Sequence, residues 1–136
     1  SKQKDVNNLK VSKRFVSGGC DNLVKIWSFE YNKNDYEESA SLIQHENWVR
    51  DVAWSPLPTS TSHSIVASCS EDKTVVIWRE NNGKWTPSEI LKFDSKVWSV
   101  SWSEMGNILA VALGENTVQL FKEGNDGKWQ NVTKVN

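Results

Sequence analysis

The sequence has only two cysteines, three prolines and one methionine among its 136 residues, and no clear excess of either charge. Each scarcity excludes something. Cys20 and Cys69 stand apart, with no CxxC and no Cys/His pair at metal-ligand spacing. The chain therefore offers neither a metal motif nor a disulfide framework. Both thiols read as buried and reduced. The 16 basic and 17 acidic residues give a net charge of −1, without the basic excess of a nucleic-acid reader. The longest apolar run, Ile108–Leu113, covers six residues, far short of a membrane span. No basic-then-apolar leader is visible, so nothing points to secretion. The acceptor pattern Asn131-Val132-Thr133 then carries no weight. The chain begins with serine rather than methionine, which reads as a partial chain.

What the sequence does have is tryptophan, eight in all. Their positions repeat. Lys25-Ile26-Trp27 resembles Val76-Ile77-Trp78, 51 residues later, and Gln119-Leu120-Phe121 follows after a further 43. An acidic residue precedes each of these aromatics by six positions: Asp21, Asp72 and Glu115. Val52-Ala53-Trp54-Ser55 returns as Val100-Ser101-Trp102-Ser103 after 48 residues. Asn82-Gly83-Lys84-Trp85 returns as Asp126-Gly127-Lys128-Trp129 after 44. Three registers recur in one order with nearly one period. A period of about 40–45 residues with four strands per unit is the signature of propeller blades.

The local chemistry agrees. Short runs rich in β-branched and aromatic residues, such as 74–78, 97–102 and 108–113, are bounded by Gly, Asn, Asp and Ser. No sustained 3.6-residue apolar period appears, so helices should be few. Pro56, Pro58 and Pro87 are expected at run edges or in connections. The fold class is all-β: a WD-repeat β-propeller, here about three consecutive blades. Residues 1–13 read as a polar loop or tail. Residues 14–43 read as a partial blade of three strands, whose opening strand is absent from this stretch. Residues 44–92 read as a complete blade and 93–136 as the last. Residues 56–64 and 32–39 are expected as polar connections, and the acidic patch Asp35-Tyr36-Glu37-Glu38 as a solvated turn.

His45 invites a catalytic or metal reading, but its spacing to Ser68, Asp72 and Trp78 is that of a WD repeat. There these four residues form a structural hydrogen-bond chain from the Trp N–H to the Ser hydroxyl, to His, to Asp. A buried indole N–H and a buried imidazole need such partners. The serine is tied to an indole and is not a free nucleophile. Ser70 is the alternative to Ser68. The first blade keeps Ser17, Asp21 and Trp27. The third has Phe93, Glu115 and Phe121 at the corresponding places, so packing must replace its chain. Trp48, Trp85, Trp98 and Trp129 read as packing between blades or as partner contacts. Arg50 and Asp51 are placed at the central channel or one rim. No catalytic constellation and no cofactor or metal site is visible. Three blades alone would leave an apolar face open at each end. The remaining blades come from the same protein or from another chain.

The stretch GGCDNLVKIW at 18–27 resembles the Sec thirteen family of WD-repeat proteins. So do HENWVRDVAWSP at 45–56, ILAVALGENTVQLFKE at 108–123 and DGKW at 126–129. The resemblance covers about residues 13–133 and points to the C-terminal half of that family's sequence. It implies a six-bladed open propeller, into which an α-solenoid partner donates a further blade in trans. In the family this partner is a subunit of the coat protein complex II cage, in ER-to-Golgi transport, or a nucleoporin of the nuclear pore Y complex. The implied location is the cytoplasm, the cytoplasmic face of the ER and its coat vesicles, and the nuclear pore. Membrane association is through the assembly only. By analogy the third blade would neighbour the donated one. Its candidate partner face is Trp98, Val100, Trp102, Leu109, Val111, Leu120 and Phe121. The competing reading is an adaptor that grips linear peptides at the channel mouth.

Overall fold

The computed structural model describes residues 13–56, 64–114 and 116–133. Residues 1–12 of the tail expected over 1–13, most of the connection at 56–64 and the acidic residue Glu115 lie outside the described residues.

Among the described residues the chain is all strand, in three antiparallel sheets. The first comprises β1 (Arg14–Gly18), β2 (Leu23–Glu30) and β3 (Asp35–Ile43). The second comprises β4 (Val49–Trp54), β5 (Ile65–Ser70), β6 (Thr74–Asn81) and β7 (Lys84–Lys92). The third comprises β8 (Val97–Trp102), β9 (Ile108–Leu113), β10 (Thr117–Glu123) and β11 (Trp129–Asn131). Each sheet is a simple meander in chain order. These are WD-type partial propeller blades.

The turns follow from residues that tolerate positive φ. Asn82 and Gly83 both adopt it (φ 53° and 80°), as a two-residue hairpin requires. At the β1–β2 and β5–β6 turns, Asn22 and Lys73 are left-handed. The carboxylates of Asp21 and Asp72 accept the backbone N–H two residues on, at 3.1 and 3.0 Å. These are side-chain turns that Asp makes readily.

The core lies between the sheets. Val24, Ile26 and Leu42 of the first sheet pack on Val49, Val66, Val76 and Trp78 of the second. Ile65, Ala67, Cys69, Val75 and Ile77, on the second sheet's other face, pack on Val97, Val100, Leu109, Val111 and Phe121 of the third. Strand β5 is buried on both faces along its whole length, which is why it shows no polar alternation. Each sheet thus has a rear face toward its predecessor and a forward face toward its successor. The rear face of the first sheet and the forward face of the third have no neighbour among the described residues.

Two local expectations are corrected. Asp35 to Glu38 open the outer strand β3 and are not a turn, because Phe29 and Tyr36 meet edge to face and hold the hairpin together there. Pro87 lies inside β7, not at an edge of it. That strand is the outer strand of its sheet, and Pro87 faces Trp78 at a register shift, where a missing N–H does little harm.

Candidate functional site

The polar chain of the second sheet comes from four separate segments. Trp78 Nε1 donates to Ser68 Oγ at 2.9 Å. Ser68 Oγ lies 2.7 Å from His45 Nε2, and His45 Nδ1 lies 3.0 Å from Asp72 Oδ2. One assignment satisfies all three contacts: the serine donates to Nε2, and Nδ1–H donates to the carboxylate. Burial lowers the His45 pKa, and the hydrogen bond and charge of Asp72 only partly oppose this. The shift favours the neutral ring. Burial also pushes the Asp72 carboxyl up. Donors from Thr74, the Glu46 N–H and His45 outweigh it and leave the carboxyl below its ordinary value. Ser68 is fully buried and its oxygen is engaged on both sides. It has the partners of a structural group and no access for a substrate. Ser70 donates instead to the Asn47 carbonyl at 3.1 Å.

The strand registers put the other two sheets in correspondence. In the first, Trp27 Nε1 donates to Ser17 Oγ at 2.9 Å, the same pair as Trp78 and Ser68. In the third, Phe121 pairs with Leu109 as Trp78 pairs with Val66. Val111 therefore stands where Ser68 does. Phe93 meets Phe121 edge to face with centroids 5.8 Å apart. An apolar trio stands in place of three of the four members of the polar chain.

The candidate partner face divides. Leu109 and Val111 are completely buried against the second sheet, and Val100 and Phe121 nearly so. Trp102 packs on the same cluster and donates its indole N–H to the Ala53 carbonyl at 3.0 Å. These five residues line the rear face and are already covered, so they are withdrawn as partner contacts. Leu120 belongs to the opposite, forward face. Trp98 is exposed elsewhere, under the Arg50 guanidinium at 4.7 Å.

Strand alternation gives the forward face its membership. It carries Ile108, Ala110, Ala112, Val118, Leu120 and Lys122. An apolar hollow opens there, lined by Ile108, Val118, Leu120, Lys122, Val132 and Thr133. Ile108, Val118 and Val132 were missed because the sequence reading gathered neighbouring apolar residues without separating odd from even positions.

The remaining sequence candidates fall into place. Asp51 accepts from Ser99 Oγ at 3.0 Å and the Val100 N–H at 3.1 Å, so it ties the second sheet to the third. Trp85 meets Trp54, and Trp129 meets Trp102, both edge to face. The Trp129 indole N–H is buried with no hydrogen-bond partner among the described residues. Trp48 is half-exposed. Both cysteines are free. Cys20 is exposed, which corrects its expected burial: it sits in the β1–β2 turn. The Cys69 thiol is pushed up to about 12, chiefly by burial.

The sequence matches the family described as WD domain, G-beta repeat, over residues 2–28, 36–79 and 86–122. It is 48% identical over 126 residues to the protein transport protein sec13 of Emericella nidulans, covering 90% of this chain and 40% of that protein. It is 50% identical to the protein of the same name in Aspergillus fumigatus, with the same two coverages. To the human protein SEC13 homolog it is 48% identical over 130 residues, covering 91% of this chain and 39% of the human one. The chain spans about 40% of the length of the curated relatives it matches.

Proposed function

The chain belongs to the WD-domain, G-beta repeat family, and from that membership and its resemblance to part of Sec13 we propose a non-enzymatic scaffold in protein transport. In this reading the propeller pairs with an α-solenoid subunit that donates a blade in trans. It does so in the coat that carries cargo from ER to Golgi and in the scaffold of the nuclear pore. It works at the cytoplasmic face of membranes only through these assemblies, with no cofactor and no nucleic acid.

One observation carries this reading. The open forward face of the third sheet reproduces the forward face of the second. Ile65, Ala67, Cys69, Val75 and Ile77 correspond in register to Ile108, Ala110, Ala112, Val118 and Leu120. The first set is covered by the third sheet. The second set differs by one cysteine-to-alanine and one isoleucine-to-leucine exchange, so it has nearly the same shape. A surface of that shape fits another sheet, and leaving it in water forfeits apolar burial.

The test is native mass spectrometry of the assembly purified through the full-length protein carrying Leu120→Asp. A carboxylate there should remove the solenoid subunit from an otherwise one-to-one complex while circular dichroism stays unchanged. A complex that survives intact sinks the reading. The adaptor reading would rest on exposed Trp48 and on Trp98, exposed beneath Arg50. It gains if the purified protein is a lone propeller that binds only short peptides, and loses them on Trp98→Ala.

A further inference from the structure

The sheets are joined at one end by ion pairs that follow a rule. Arg14 on β1 pairs with Glu80 of the second sheet at 2.9 Å. Arg79 of the second sheet pairs with Glu123 of the third. Glu80 and Glu123 occupy one position: each lies two residues after the aromatic that closes the repeat, Trp78 or Phe121, on the same rear face. Both cations belong to forward faces. Arg79 stands opposite Ile65 in the register, and Arg14 stands opposite Ser28, the residue corresponding to Arg79. Each contact between sheets therefore carries one cation reaching forward to one glutamate.

Lys122 is the next member of the series. It stands opposite Ile108 as Arg79 stands opposite Ile65. It is exposed, lines the apolar hollow of the forward face and pairs with no carboxylate among the described residues. We propose that Lys122 is a recognition residue for the sheet that covers this face, and that the sheet carries an Asp or Glu at the position of Glu80 and Glu123. This rests on the blade-completion reading and specifies the partner's chemistry. The partner presents an apolar rear face with one carboxylate two residues beyond its closing aromatic or aliphatic residue.

The same rule argues against a second copy of this chain as occupant. In the first sheet the corresponding position, two residues after Trp27, holds Phe29. Lys13 already sits over the rings of Phe29 and Tyr31, at 5.3 and 5.6 Å. Stacking a forward face on that rear face would set Lys122 against an aromatic ring and a second ammonium. Like charges placed together work against such a contact.

The experiment is zero-length carbodiimide cross-linking of the native assembly, with the full-length protein wild type or carrying Lys122→Glu or Lys122→Arg. Lys122 should form an amide, with loss of water, to an Asp or Glu of the donated sheet. Lys122→Glu should weaken the complex about tenfold or more, Lys122→Arg should preserve it, and reversing the linked carboxylate to Lys should restore Lys122→Glu. If Leu120→Asp releases the partner while Lys122→Glu binds as wild type and no cross-link forms, the ion-pair inference fails and blade completion stands. If Leu120→Asp also leaves the partner bound, both fail. A cross-link from Lys122 to a second copy of this chain would likewise overturn the proposal.

Discussion

The second and third sheets solve one packing problem with opposite chemistry. In the second, Trp78, Ser68, His45 and Asp72 form a closed relay of hydrogen bonds. In the third, Phe121, Val111 and Phe93 stand in place of the tryptophan, serine and histidine, and none of the three is polar. The difference teaches that such a relay changes as a unit. Removing one member strands its partners in a dry interior, whereas replacing every member by an apolar group of similar shape can be nearly neutral. The third sheet has exchanged three of the four members, with an acidic residue, Glu115, still at the fourth place in the sequence.

The largest expected effect comes from breaking the relay singly. Ser68→Val places the third sheet's residue into the second and leaves the Trp78 N–H and His45 Nε2 unpaired. The loss should be about 2–6 kcal/mol in urea unfolding, at about 1–3 kcal/mol for each of the two stranded groups. The triple variant His45→Phe/Ser68→Val/Trp78→Phe copies the third sheet's solution and should recover at least half of that loss. If the triple variant is as unstable as the sum of its parts, the equivalence of the two solutions is wrong.

A smaller effect separates the sheets by pH. The folded pKa of His45 lies below its ordinary value of 6.5, chiefly because of burial. Below about pH 6.5 the unfolded chain binds the proton more readily than the folded one. The stability held by the neutral ring is complete above that pH. It falls as pH drops toward the folded pKa, by up to about 1.4 kcal/mol per pH unit. Unfolding midpoints of the wild type should decline across this window. Those of the triple variant should decline less, since no imidazole remains there. Equal slopes would mean that His45 is not the responsible group.

The smallest effect concerns the third sheet's outer strand. The Trp129 indole N–H is buried and unpartnered among the described residues, so Trp129→Phe removes a polar group with no hydrogen bond there to lose. It should change stability by less than about 1 kcal/mol. The corresponding Trp78→Phe would leave the Ser68 oxygen short of a donor and should cost more.

The relay was legible in the sequence because its members sit at fixed distances from tight turns. Asp72 lies in a turn whose geometry any Asp can make, and Trp78 follows it by six residues along one strand. The membership of the open forward face was not legible, for a physical reason. Register shifts occur between Val97 and Ser99, and between Val49 and Asp51. They break the two-residue alternation in β8 and β4, so Val97 and Val100 are both buried while Trp98 between them is exposed. Without the phase of each strand, Leu109 and Leu120 look alike, yet they lie on opposite faces. The Arg79–Glu123 pair was also invisible, because its members stand 44 residues apart and meet only once the registers of two sheets are known.

The meander topology has a consequence for how the protein is made. Within each described sheet every strand pairs only with its neighbours along the chain, so no sheet waits for a distant segment to be translated. Short loops close early and at little entropic cost. A ribosome releasing this chain can therefore deliver one finished sheet after another, each new one docking on the last. The most recent sheet is always the one with a bare flank. During synthesis that flank is temporary, because the next sheet arrives from the same ribosome. Among the described residues the third sheet keeps that flank open, with nearly the apolar composition of the one the second sheet loses to its successor.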